Sequence, residues 1–352
     1  MNERAQLFER KSCNHIGAFD NSKQRFQSII LSWEEAQARS CVMTHKASAT
    51  QKLTSSISSK PQGLSIWATV LMILIFALWG GQQVAIKIGN TELAPIFQAG
   101  IRSIGASVLM TMWFLVKGTP PWRMGVGPGA AALLGVLFTL DFALLFLGLN
   151  ETTASRGTIL YYTGPIMIAV GAAVILPSER IGRLGIAGFG LAFLGVLAVL
   201  WRNETIANHT SITGDLLCLG AAAAWASTIL VIKVTRLIHV PANAVLYFQL
   251  LGSAIALPLL SYLVGEEWSA PQSAVVVQAV LFQVVFVAFL SYLVFFWMLQ
   301  RFSAGTLSAY SFLAPVFGVL LSNQLLGEQV SPLFAIGTLM VVCGLYLVAK
   351  GK

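Results

Sequence analysis

Two charged side chains sit where charge is hardest to keep. Asp141 lies in the run Leu137-Phe-Thr-Leu-Asp141-Phe-Ala-Leu-Leu145, and Arg102 lies in Gln98-Ala-Gly-Ile-Arg102-Ser-Ile-Gly105. An ionisable group inside such a run costs several kcal/mol unless it faces a partner or water, which makes it a candidate for function. A buried carboxylate can hold an ammonium group or take up a proton, because either one cancels the charge that its surroundings disfavour. The plainer reading of Asp141 is a packing contact with a Ser, Thr or Arg of another helix. Arg102 could pair with Asp141 or with the carboxylate of a ligand. Its plainer reading is a side chain that snorkels or caps a loop.

Uncharged groups supply the rest of a pocket. Gln82 and Gln83 follow Trp79-Gly80-Gly81, where the glycines let a helix or ligand approach the backbone. Tyr161 and Tyr162 precede Gly164-Pro165, and Tyr310 and Ser311 precede Ala314-Pro315. Pro165 and Pro315 each free a backbone carbonyl and kink a helix, which suits a gate as well as it suits ordinary membrane packing. Trp225 and Gln249 complete the set. Lys87 and Lys233 end apolar runs and read as interfacial anchors. Glu179 and Glu328 each stand just before a new helix, where a carboxylate complements the helix dipole, and so does Asp215. These three are expected to be structural caps. The four histidines (His15, His45, His209, His239) lie outside apolar runs or at their edges. The four cysteines (Cys13, Cys41, Cys218, Cys343) form no CxxC pair. No metal site, cofactor or nucleophile constellation is expected, and an intramembrane enzyme is the least favoured class.

The elements that must position these groups follow from composition. Of 352 residues, 56% are hydrophobic and only 10% are charged, and the mean hydropathy is +0.76. Ordinary soluble domains carry about 25% charge, so the chain reads as an all-α, multi-pass membrane protein in a lipid bilayer. The net charge of +8 is dispersed and gives no reason to expect a nucleic-acid partner. A bilayer-crossing helix needs about 20 apolar residues. From Ser65 onward the runs divide into ten: 65–86, 94–116, 129–149, 153–176, 184–201, 214–233, 242–264, 274–299, 304–326 and 333–349. With the N terminus cytoplasmic, inner connections and the C terminus carry nine Lys+Arg, and outer connections carry three (Lys87, Arg156, Arg202). That bias places both termini in the cytoplasm.

Residues 1–64 are different. They hold nine of the 22 Lys+Arg and show no sustained apolar period. Arg25–Ala38 could form a short amphipathic helix, and 44–60 reads as a flexible linker. No secretory-signal pattern is present. Two readings stay open: a disordered cytoplasmic tail, or an upstream extension with Met43 as the true start.

The remaining chain repeats itself. Trp79 to Lys87 matches Trp225 to Lys233, with eight residues from Trp to Lys in both. Leu149 to Pro165 matches Leu299 to Pro315 at an offset of 150, pairing Asn150 with Gln300, Thr153 with Ser303, Ala154 with Ala304 and Pro165 with Pro315, and the same offset makes Ser291 the repeat mate of Asp141. Glu179 matches Glu328, and each is followed by Gly at +9 (Gly188, Gly337) and +16 (Gly195, Gly344). Residues 65–201 and 214–350 are therefore expected to be two five-helix repeats. Five is odd, so the second copy inserts upside down. Inverted repeats supply paired conformations for alternating access.

The ordered set Trp79-Gly80…Lys87, Arg102, Pro165, Glu179, Trp225…Lys233, Pro315 and Leu326-Gly327-Glu328 resembles the drug/metabolite transporter superfamily, and in particular a chain with two EamA domains. The resemblance covers about 65–350. It implies a ten-helix carrier of the inner membrane in which an Arg near Arg102 is typical. It also implies efflux of amino acids, related metabolites or drugs. The absence of a Walker-type loop in the sequence points to a gradient, with protons as the expected coupling ion. The alternative is a facilitative exchanger or an importer of small polar metabolites. A channel would want a selectivity filter or a ring of charges, and neither is seen. Substrate identity and oligomeric state are not encoded in any motif found.

Overall fold

In apolar surroundings every backbone N–H and C=O must find its partner within the chain, so long apolar runs coil into helices. The computed structural model describes residues 66–175, 182–200, 211–299, 310–311 and 313–350. Among these residues every regular element is helical, with no strand. The head (1–64, with Met43, Cys13 and Cys41), Glu179 and the start of the run expected at 304–326 lie outside the described residues. Those described belong to one unit, residues 64–352.

The helices are α1 (Ile66–Gly89), α2 (Pro95–Lys117), α3 (Pro128–Glu151), α4 (Ala154–Tyr161), α5 (Gly164–Ile175), α6 (Arg183–Leu200), α7 (Ile212–Val234), α8 (Ala242–Val264), α9 (Ala274–Leu281), α10 (Tyr292–Leu299), α11 (Leu313–Leu326) and α12 (Pro332–Lys350). Among the described residues, seven segments are long and apolar enough to cross a membrane, and α4 with α5 counts as one of them. The helices at 183–199, 313–326 and 332–347 are apolar but shorter.

Two departures from plain rods concern the site. The run expected at 153–176 is interrupted at Tyr162–Thr163 between α4 and α5. Pro165 has no N–H to offer the Tyr161 carbonyl, so the helix restarts instead of continuing. Thr163 supports the restart: its carbonyl accepts from Ile166 (2.9 Å) and Met167 (3.1 Å). The run at 274–299 is continuous, but its middle, Phe282–Ser291, is wound as a π-helix between α9 and α10.

Helix ends explain the turns. Gly118 closes α2 and Gly265 closes α8, both in the left-handed region (φ 65° and 81°). A side chain there would be strained. The paired packing is α12 along α6, α3 along α7, α8 against α2 and α3, and α11 along α1. Glycine makes the first of these pairs close. A Cβ on Gly195 would stand 2.7 Å from the Gly337 carbonyl, and one on Gly344 would stand 2.6 Å from the Gly188 carbonyl. The four glycines that the repeat matched in sequence therefore meet across the α6–α12 contact.

Candidate functional site

A cavity of about 490 Å³ lies within the bundle. Helix α1 contributes Phe76, Trp79, Gln82 and Gln83, and α3 contributes Phe138, Asp141 and Phe142. Tyr161, Tyr162 and Pro165 come from the α4–α5 break, Trp225 from α7, Gln249 from α8, and Tyr292 and Phe295 from α10. The lining continues through Leu237, Ile238 and Val240 of the connection from α7 to α8 and through Ala242 at the start of α8. The cavity thus runs from the middle of the helices toward one end of the bundle.

Helix α3 places Asp141 in its third turn from the C-terminal end, facing inward. The residue is 2% exposed. One carboxylate oxygen, Oδ2, accepts from the Tyr161 hydroxyl at 3.4 Å, a weak bond at that length. The other, Oδ1, is buried with no hydrogen-bond partner. A buried acceptor left unpaired carries its full desolvation cost, and a ligand donor or a proton would relieve it.

The walls are aromatic. Tyr161 stacks on Trp225 with ring centres 5.3 Å apart and planes 15° apart. Trp79 sits 5.3 Å from both Tyr292 and Phe295. Gly164 makes room for the Tyr161–Trp225 pair, since a Cβ there would lie 2.5 Å from the Trp225 ring. Trp79 also donates through Nε1 to the Ser291 hydroxyl at 2.8 Å. Ser291, the repeat mate of Asp141, ends the π-helix and donates to the Val287 carbonyl at 2.6 Å. π-Helical turns are often found at functional sites because they re-aim side chains. Here the turn brings Ser291 to the indole.

Arg102 does not line the cavity and makes no ion pair with Asp141. It is fully buried on α2, its guanidinium lies 4.0 Å over the Phe142 ring, and its nitrogens have no hydrogen-bond partner. Phe142 stands between it and the cavity. The interaction it does make is cation–π. Tyr310 is half-buried, packs against the main core and is absent from the lining. Pro315 is buried within α11 and is likewise absent from the lining.

The charges at the opposite end were read differently from sequence. Arg156, counted there with the outer connections, is 2% exposed on α4. It forms a bidentate pair with Asp215 on α7 through Nη2 and Nε, and Nη1 donates to the Val199 carbonyl. Thr152 adds a bond to Asp215 at 2.8 Å. Asp215 is therefore an ion-pair partner as well as an N-terminal residue of its helix. Lys87 donates to the carbonyls of Leu149 (2.8 Å) and Thr152 (2.6 Å), closing the end of α3. Glu328 caps a helix, but not the one that follows it. It accepts from the backbone of Ala154 (2.7 Å) and Ser155 (2.8 Å), at the start of α4. Among the described residues, no group of three His, Cys, Asp or Glu comes together as metal ligands would.

Comparison with known proteins bears on this arrangement. A family model described as the EamA-like transporter family matches residues 66–201 and again 212–350. A probable amino-acid metabolite efflux pump of Salmonella typhimurium is 27% identical over 288 residues, covering 79% of this chain and 93% of that protein. A chloroplastic WAT1-related protein of Arabidopsis thaliana is 28% identical over 307 residues, covering 84% and 72% respectively. An uncharacterized inner membrane transporter of Escherichia coli is 22% identical, covering 80% and 90%. One solved structure shares the fold with a TM-score of 0.59 at 18% identity, covering 80% of this chain and 96% of its own.

Proposed function

We propose that this chain, which belongs to the EamA-like transporter family, is a secondary carrier that moves a small amine-bearing metabolite by alternating access. The observation that carries the reading is Asp141: a buried carboxylate with one unpartnered oxygen, facing an aromatic cavity inside the bundle. Such a site suits an ammonium group whose apolar portion lies against Trp79, Tyr161, Tyr162 and Trp225. Gln82, Gln83 and Gln249 supply neutral donors and acceptors for the rest of the solute. Arg102 holds a second charge behind Phe142. Pro165, on the cavity wall, and Pro315, within α11, bear on how the surrounding helices move, and Tyr310 supports the core around them.

The mechanism follows from having one carboxylate. An ammonium group and a proton neutralise the same oxygen, so they compete for it. A carrier that releases one on taking up the other exchanges solute for protons, and a proton gradient then drives efflux. The names of the efflux-pump relatives support the outward direction and amino acids as the first solutes to try. The two matched segments support two inverted five-helix repeats, 65–201 and 214–350, with ten spans and both termini cytoplasmic. The inner-membrane relative supports the inner membrane as the location.

The test is counterflow of labelled amino acids in vesicles that hold the full chain. Saturable, exchanging flux supports a carrier, while linear flux without exchange sinks it in favour of a channel. Asp141→Asn is expected to insert normally and to lose pH-dependent exchange by about tenfold or more, the loss of one charge-assisted contact. Unchanged exchange and an unchanged pH profile would remove Asp141 from the mechanism. Exchange without proton movement would make the protein a facilitative exchanger.

A further inference from the structure

Three glutamates gather at the end of the bundle opposite Leu237–Ala242. Each caps the first turn of a helix in the other matched segment. Glu92, after α1, accepts from the backbone of Gln272 (2.7 Å) and Ser273 (3.0 Å), at the start of α9. Glu266, after α8, accepts from Ile96 (3.0 Å) and Phe97 (2.8 Å), at the start of α2. Glu328, after α11, accepts from Ala154 and Ser155 as described above. Glu92 belongs to the first segment and reaches the second, and the other two reach from the second to the first.

The caps are specific in construction. Helix α2 opens at Ala94, whose side chain offers no oxygen, so Glu266 serves where a local cap is missing. Glu266 follows Gly265, and Glu328 follows Gly327; both glycines have positive φ (81° and 67°). That turn reverses the chain directly after a helix and throws the next side chain across the gap. The Ser261 hydroxyl holds Glu266 at 2.7 Å and accepts from Trp268 at 3.0 Å.

We propose that Glu92, Glu266 and Glu328 are the gate carboxylates of this end, which hold the two segments together while the cavity reaches the other end. The inference rests on the carrier reading above. A carrier must open each end in turn, and none of the connections carrying these glutamates lines the cavity of Asp141; Glu328 instead lines a separate cavity of about 920 Å³ at this end, with Lys87, Thr91, Ser155 and Ser273. Separating the segments at this end breaks all three caps. Each glutamate is only half-buried, so water can replace the protein donors, and the bonds can be made and broken in a cycle. The Arg156–Asp215 pair also joins the segments here, but it is buried on both sides. Breaking it would strand a buried charge, so it serves as the fixed pivot about which the gate swings.

The experiment uses the full chain with its four cysteines changed to Ser. Ile229→Cys places one thiol in the cavity. A membrane-impermeant maleimide is supplied from one face of the vesicle at a time, and Glu267→Cys, exposed beside Glu266, identifies the gate face. Removing the caps with Glu92→Gln, Glu266→Gln and Glu328→Gln together is expected to speed labelling of residue 229 from the gate face by about tenfold, and from the other face not at all. An unchanged rate, or an equal rise from both faces, overturns the proposal. If the triple variant does not insert, Glu266→Gln alone is measured in the same way. Nitroxides at Thr91→Cys and Gln329→Cys, both exposed at this end, give a second reading in the folded protein. Their separation should lengthen when the caps are removed, and an unaltered distribution overturns the gate. Counterflow separates the two ideas. Exchange without any effect of the glutamates ends the gate proposal alone, whereas gated access without exchange of any solute ends the carrier reading alone.

Discussion

The cost of burying charge decides which residues can be read from sequence. Asp141 stood out because a carboxylate in an apolar run has no cheap structural excuse, and the fold puts it on the cavity wall with an open oxygen. Arg156 stood out as nothing, because Thr153-Ala-Ser-Arg156-Gly-Thr looks like the edge of a loop. Its partner Asp215 is 59 residues away, a distance over which no local spacing rule operates. The pair gives a prediction at this scale. Arg156→Met strands Asp215 beside Thr152 in a buried site and should cost about 3–5 kcal/mol. Arg156→Met with Asp215→Leu should recover most of that loss. Thermal unfolding of the purified full chain measures both, and equal losses in the single and double variants would show that the charge itself is not the issue. Tyr292 and Phe295 were missed among the site residues because aromatic side chains in an apolar helix carry no mark of function. The π-helix that leads to them has no marker in the sequence either.

At the scale of elements, hydrophobic runs located the helices well because backbone hydrogen bonding in apolar surroundings leaves no other choice. The left-handed closures at Gly118 and Gly265 came from the structure. Interruptions were harder to place. Pro165 announced a kink, and the structure turns it into a break at Tyr162–Thr163 that delivers two tyrosines to the cavity. The glycines repeated at Gly188, Gly195, Gly337 and Gly344 were visible as a pattern, but their meeting across α6 and α12 was not. Contact between these helices predicts that Gly337→Leu, whose Cβ would stand 2.8 Å from the Gly195 carbonyl, destabilises the protein by about 1–3 kcal/mol or more through overpacking. Gly190→Leu on the partner helix α6 should be tolerated, because nothing lies within 4 Å of a Cβ there. Comparable losses of folded, monodisperse protein in the two variants would contradict the packing argument.

At the scale of the whole molecule, the two matched segments are interlocked by capping glutamates at one end. One of them makes a pH prediction. The Glu92 carboxyl is held below its usual value of 4.5, first by the Ser273 side chain and then by the backbone N–H groups of Ser273 and Gln272. A depressed carboxyl stabilises the fold above its ordinary value, and that contribution is lost as pH falls through the depressed one. Acidification below about 4.5 should therefore loosen the first turn of α9. Amide protection at Val276 and Val277, taken relative to the intrinsic exchange rate at each pH, should fall there in the parent chain and be less sensitive to pH in Glu92→Gln. Identical pH profiles in the two chains would contradict this.

The sequence alone determined that this chain builds apolar helices, that its two halves repeat, and that one buried carboxylate needed explaining. Those are consequences of composition, period and desolvation, which act along the chain. The tertiary structure decided which charges meet and which helix each glutamate caps, and it set the unpaired Arg102 behind Phe142. Those outcomes depend on separate helices arriving side by side, several of them from different halves, and a hydrogen bond between residues 170 or more positions apart leaves no trace in either local sequence.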